Sequence, residues 1–122
     1  MILCIDSGNS RIKWGVHDGG AWRARGVLEH TAVAQLTALV RGGPPPARIM
    51  LANVAGSAAL ASLRQALAPW AGVVQEVTAS AAAGGVVNLY ENPARLGVDR
   101  WCALIGARSL SPGPCVAVMA GT

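Results

Sequence analysis

Phenylalanine is absent from this chain, tyrosine occurs once, and only 13% of its 122 residues are charged. With no Phe and one Tyr, the apolar content is carried mainly by Ala, Val and Leu, and a chain that is 52% apolar is globular, not disordered. One domain is the expectation at this length. A surface so poor in charge leaves apolar area to be covered by a partner subunit or by further sequence. The three cysteines, Cys4, Cys102 and Cys115, are odd in number, lack CxxC spacing and fall in apolar segments. They read as small buried hydrophobes of a reducing cytosol, so the expected location is cytoplasmic. No basic segment precedes an apolar one at the N-terminus, and no apolar run reaches the length of a membrane span, so neither secretion nor a membrane partner is expected. Basic side chains exceed acidic ones by ten to six, but they are scattered and form no stripe with interleaved aromatics. A nucleic-acid partner therefore rests on net charge alone and is not expected. His17 and His30 have no partner at metal-ligand or acid–base spacing.

What is present begins with Ile5-Asp6-Ser7-Gly8-Asn9-Ser10-Arg11-Ile12-Lys13. Met1 to Ile5 reads as a buried strand, and Arg11 to His17 alternates polar and apolar residues as a strand with one covered face does. The turn between them makes a hairpin. Asp6 stands where the backbone leaves the core, and Gly8 permits a positive φ. Backbone N–H groups of such a turn can converge on an anion, and Asp6 can hold a metal-bound water or repel a misplaced phosphate. Taken alone, these residues describe an ordinary turn as well as a site, and the turn is the plainer reading.

Asp18-Gly19-Gly20 is a second turn signal, followed by a third strand over Trp22 to Leu28. Thr31 suits an N-cap for a helix from Ala32 to about Arg41, ended by Gly42-Gly43 and the stiff Pro44-Pro45-Pro46 connector. Ile49 to Val54 reads as a buried strand parallel to the first, and Ser57 as the cap of a helix from Ala58 to about Ala68. Val73 to Val77 is a further strand. Ala79 to Gly85 reads as a loop or frayed helix. Val86 to Tyr90 leads to a turn at Asn92-Pro93, a helix runs from Val98 to the Pro112-Gly113-Pro114 stop, and Cys115 to Met119 reads as a buried strand. The resulting βββαβαβ order, with a helix and strand after it, predicts an α/β fold: a three-stranded antiparallel meander extended by parallel strands with crossover helices. That order matches the ribonuclease-H-like half of the actin-like and sugar-kinase ATPase superfold. The expected division is an N-terminal ribonuclease-H-like domain over residues 1–114, with 115–122 as the first strand and turn of a second, truncated one.

A second constellation spans Tyr90-Glu91-Asn92-Pro93-Ala94-Arg95-Leu96-Gly97-Val98-Asp99-Arg100-Trp101. Gly97 allows close approach of backbone to a ligand. Asp99 falls in a first helical turn, where the helix dipole alone favours a negative charge by about 0.3–1 kcal/mol. The same carboxylate could accept a proton from an attacking hydroxyl, and Arg100 could grip a substrate carboxylate in a bidentate fork. Neighbouring helix positions point about 100° apart, so Asp99 and Arg100 need not pair. Trp14, Trp22 and Trp70 read as core or interface residues; Trp101, beside these groups, reads either way.

Asp6-Ser7-Gly8-Asn9-Ser10 after an N-terminal strand, Tyr90-x-x-Pro93, Leu96-Gly97-x-Asp99-Arg100-Trp101 and the terminal Ala120-Gly121-Thr122 together resemble type III pantothenate kinase, the family that includes the Bvg accessory factor. The resemblance runs through essentially the whole chain. It implies ATP-dependent phosphorylation of pantothenate to 4'-phosphopantothenate, the first step of coenzyme A biosynthesis, by a homodimer of chains with two ribonuclease-H-like halves. It implies that Asp6 lies near the ATP phosphates and Mg2+, with Gly8, Asn9 and Ser10 forming the first phosphate loop. Lys13 is assigned there too, where its strand could turn it to the phosphates or to solvent. By the same resemblance Gly121 and Thr122 open the second phosphate loop, Asp99 is the catalytic base, and Tyr90, Gly97 and Arg100 bind pantothenate. The family also needs a monovalent cation, K+ or NH4+, associated with an aspartate immediately before Ala-Gly-Thr. Here that position is Met119, whose thioether is a weak acceptor for a hard cation. The second half being absent from the sequence, these 122 residues are expected to be an inactive piece of a kinase. The rival reading is a non-catalytic nucleotide-binding or accessory module of the same fold.

Overall fold

The computed structural model describes residues 1–120, in two compact units, Met1–Val77 and a second beginning at Thr78. In the first unit, strands β1 (Ile2–Ser7), β2 (Ile12–His17) and β3 (Trp22–Leu28) form the expected meander. A single 3-10 turn over His30–Ala32 then leads to helix α1 (Gln35–Arg41). Strand β4 (Arg48–Asn53), helix α2 (Ser57–Ala66), a 3-10 segment (Ala68–Val73) and strand β5 (Val74–Glu76) complete the unit. The sheet order is β3-β2-β1-β4-β5, antiparallel at β1–β2 and β2–β3 and parallel at β1–β4 and β4–β5.

Period-two alternation decides which side chains are buried. Leu3 and Ile5 of β1, Ile12 of β2 and Ile49 and Leu51 of β4 face Leu36 and Val40 of α1 and Leu63 of α2 in one core. The Thr37 hydroxyl donates to the Ala66 carbonyl at 2.7 Å and ties α1 to the end of α2. On β2 and β3, two glycines make room for tryptophans. A Cβ on Gly26 would stand 2.6 Å from the Trp14 ring, and one on Gly15 would stand 2.7 Å from the Trp22 ring. Trp14 and Trp70 pack partly against the core, whereas Trp22 is exposed and meets His17 edge-on.

Both anticipated caps differ. Thr31 lies inside the 3-10 turn, and α1 begins at Gln35 with Ala34 at its cap position. Ser57 is the first residue of α2, behind Gly56 with φ of 96°. In each case the chain leaving a strand makes a tight bend first, and the hydroxyl residue falls within it or one place late.

In the second unit, Ala82–Ala83 (β6) and Val86–Val87 (β7) form a short hairpin instead of a loop or frayed helix. Its two turn residues, Gly84 and Gly85, have φ of 57° and 78°, which is the left-handed pair a tight hairpin requires. Helix α3 (Val98–Leu110) follows a 3-10 turn over Pro93–Arg95. Trp101 is 1% exposed and is therefore a packing residue, which decides its reading. The segment from Cys115 to Met119 is exposed and forms no strand among the described residues, in contrast to its apolar pattern. A strand exists only when a neighbour takes its backbone N–H and C=O groups, and none does so here. Cys115 is accordingly exposed, and Cys4 and Cys102 are half-buried; none of the three is in a disulfide among the described residues. Burial raises the Cys4 thiol above its ordinary value, which keeps it protonated and unreactive near neutrality.

Candidate functional site

The residues singled out above fall into two groups, one in each compact unit. In the first, β1 carries Leu3, Ile5 and Ser7 to the packed face, and therefore turns Cys4 and Asp6 to the other. Asp6 is half-buried, opposite Lys13 on β2 and Ala52 on β4. Residues directly opposite in an antiparallel pair share a face, so exposed Lys13 stands on the Asp6 side. A carboxylate and an ammonium are thus displayed side by side at the end of the central strand.

The turn itself is closed by the Gly8 amide donating to the Arg11 carbonyl at 3.0 Å. Gly8 does not have a positive φ, so the expected conformational reason for glycine does not hold. A Cβ there would meet only the Arg11 carbonyl oxygen, at an ordinary 3.4 Å. The chain itself therefore does not require glycine at this position. Asn9 and Ser10 are exposed at the tip. Beneath them, Ser7 is fully buried, and its hydroxyl has no partner among the described residues.

A cavity of about 340 Å3 adjoins the turn, lined by Asn9, His30, Val33, Ala55, Ala58, Ala59 and Ser62. Small side chains in the first turns of α2 leave this room, and Gly56 gives that helix end no capping side chain. The residue that sequence reasoning missed is His30. Its Nε2 lies 2.6 Å from the Gly8 carbonyl oxygen. No spacing rule could have found it, because its partner is a backbone atom of a distant turn.

In the second unit, Asn92 accepts from the Ala94 amide and starts the 3-10 turn at Pro93. Asn88, also unremarked in the sequence, is buried. Its amide donates to the Pro93 carbonyl at 3.1 Å, and its oxygen accepts from the Tyr90 amide at 3.0 Å. It thereby braces the Tyr90-to-Pro93 loop from inside, leaving the Tyr90 ring half-exposed. Gly97 is the N-cap of α3, and Asp99 lies in its first turn. The Asp99 Oδ1 accepts from the Arg100 amide at 2.8 Å, and a Cβ on Gly97 would stand 2.8 Å from that same oxygen. The glycine is therefore needed to keep the Asp99 carboxylate where it is. Arg100 is exposed, and its guanidinium does not pair with Asp99 among the described residues.

No cluster of three His, Cys, Asp or Glu side chains suited to a metal occurs among the described residues. A single half-buried carboxylate, Asp6, does fit Mg2+ carried in by a polyphosphate, since that ion is commonly held by one or two carboxylates plus substrate phosphates. Met119 is half-exposed in the strandless segment, and its thioether side chain is a poor donor for a hard monovalent cation. Gly121 and Thr122 lie outside the described residues. No helix among the described residues is long and apolar enough to cross a membrane.

Comparison with known proteins brings the two groups under one heading. A family profile described as type III pantothenate kinase matches residues 2–122. A protein from Dechloromonas aromatica named type III pantothenate kinase is 57% identical over 122 residues, which is all of this chain and 51% of the relative. Proteins of the same name from Aromatoleum aromaticum and Nitrosospira multiformis are 50% and 43% identical, again across the whole chain and over 50% and 47% of their own lengths. The chain thus spans about half the length of the curated relatives it matches.

Proposed function

Because this chain belongs to the type III pantothenate kinase family, we propose that the whole protein transfers the γ-phosphoryl group of ATP to pantothenate and so opens coenzyme A biosynthesis. The observation that carries this reading is the family match across residues 2–122, and the two groups of residues have the chemistry that the separate needs of a phosphoryl transfer call for. Such a reaction requires positioning, charge neutralisation at the phosphates and a base at the attacking hydroxyl.

Gly8, Asn9 and Ser10 are assigned to the phosphates, with Lys13 adding positive charge on the Asp6 side of the sheet. Asp6 would hold Mg2+ brought in with ATP, and the ion would supply neutralisation of phosphate charge. Asp99 takes the proton of the pantothenate primary hydroxyl as that oxygen bonds to the γ-phosphorus and the bond to the ADP oxygen breaks. Tyr90, Gly97 and exposed Arg100 shape the pantothenate site, Arg100 by a bidentate grip on its carboxylate. Gly121 and Thr122 begin the second phosphate loop.

The strand order β3-β2-β1-β4-β5 supports a ribonuclease-H-like half, with residues 1–114 as that half and the following residues leading into a second. A cytoplasmic homodimer is the working assembly. With Met119 before Ala120-Gly121-Thr122, the monovalent-cation site expected from the family is lost, altered or taken over by other groups.

The test is a coupled assay of the full-length kinase with ATP and pantothenate, comparing wild type with Asp99→Asn. The variant is expected to lose about 10²- to 10⁴-fold in kcat. Undiminished turnover by Asp99→Asn removes the base assignment. Wild-type protein that forms no ADP in response to pantothenate removes the kinase reading in favour of a non-catalytic module.

A further inference from the structure

We propose that His30 is a positioning residue that holds the Gly8–Asn9 peptide in the orientation needed by the phosphate turn. The inference rests on the assignment of that turn to ATP.

The chemistry of the contact fixes its direction. A carbonyl oxygen only accepts, so His30 Nε2 must carry the hydrogen and donate it to Gly8 across 2.6 Å. The backbone that carries the imidazole is itself held. The 3-10 turn that bears it is closed by the Ala32 amide on the Glu29 carbonyl at 2.9 Å and the Val33 amide on the His30 carbonyl at 3.3 Å.

The peptide plane then transmits this restraint. The Gly8 carbonyl and the Asn9 N–H belong to one planar trans peptide unit and point in opposite directions. Holding the carbonyl on His30 aims the Asn9 N–H away from it. Without the restraint, a peptide next to glycine rotates easily, because Gly8 lacks the Cβ that would limit its ψ. Such a flip would replace the Asn9 N–H with a carbonyl oxygen, which repels phosphate. The amide of Gly8 is already engaged with Arg11, so the two sides of Gly8 are held by different elements. Glycine gives the turn its open surface, and His30 removes the freedom that glycine brings.

The experiment uses the full-length kinase as wild type, His30→Ala and His30→Gln, since the glutamine amide can also donate to a carbonyl. ATP dissociation constants are measured by calorimetry without pantothenate, and KM values for both substrates by steady-state assay. His30→Ala is expected to weaken ATP binding and raise its KM about 3- to 10-fold, as loss of one hydrogen bond does. The pantothenate KM should stay within about twofold of wild type, and His30→Gln should recover much of the ATP loss. Unchanged ATP binding by His30→Ala overturns the proposal. So does a parallel loss for both substrates with a lowered Tm that glutamine does not rescue. Wild-type protein that binds ATP without phosphorylating pantothenate defeats the kinase reading and leaves the His30 comparison readable in ATP affinity. Wild-type protein that binds no ATP defeats both.

Discussion

Replacing Gly97 with alanine should injure catalysis while leaving the fold nearly intact. The backbone at this N-cap has φ −56° and ψ 134°, which alanine adopts without strain. The added Cβ would lie 2.8 Å from Asp99 Oδ1, where ordinary contact begins near 3.4 Å. The carboxylate must retreat by about 0.6 Å, or turn off its rotamer at about 0.5–1.5 kcal/mol, and either response loosens its 2.8 Å bond to the Arg100 amide. Lower entropy of the unfolded chain returns about 0.4–1 kcal/mol, so net stability should change by less than about 1 kcal/mol. Catalysis is less forgiving: a misplacement of about 1 Å at a reacting group can cost ~10²-fold, and a shift somewhat smaller should cost about tenfold or more in kcat. The assay is pantothenate-dependent ADP formation by the full-length kinase beside a urea melt. A variant that folds as wild type and keeps its kcat within about twofold would refute the reasoning, for the Asp99 carboxylate would then not need its observed place.

Other substitutions test the first unit. Gly8→Ala meets only an ordinary contact, so its urea midpoint should stay near wild type. Its KM for ATP should nevertheless rise about tenfold if phosphate approaches that backbone closely. Gly26→Ala drives a Cβ to 2.6 Å from the Trp14 ring; it should cost about 1–3 kcal/mol in urea unfolding, and much of the loss should disappear in a Trp14→Leu background. Asp18 is held down to about 2 by the Ala21 and Gly20 amides, then by Arg23. Its folded value lies below the unfolded one of 3.8, so the turn's stabilisation is complete above about pH 4 and lost as pH falls through about 2. An NMR titration of its carboxyl carbon with a midpoint near 4 would contradict this.

The limits of sequence reading follow from how each feature is encoded. The meander and both parallel crossovers were legible because period-two alternation and helical spacing are local signals, and the core residues Ile5, Ile12 and Leu51 lie where they predict. The β6–β7 hairpin was also written locally, as Gly84-Gly85 between apolar pairs, but the low-complexity Ala/Gly run obscured it. Cys115 to Met119 failed for the opposite reason. Its apolar run is local, whereas a strand depends on a neighbour that no run of residues specifies. The site divides in the same way. Gly97 was noticed as room for a ligand, yet its nearest claim is the Asp99 oxygen two residues on. His30 was set aside and Asn88 passed over because each serves a backbone carbonyl, which is present at every residue and so leaves no mark in the sequence. These two side chains brace the loops that display the motif residues. A motif therefore identifies the groups proposed to meet substrate, while the residues that hold those groups still are found only from the fold.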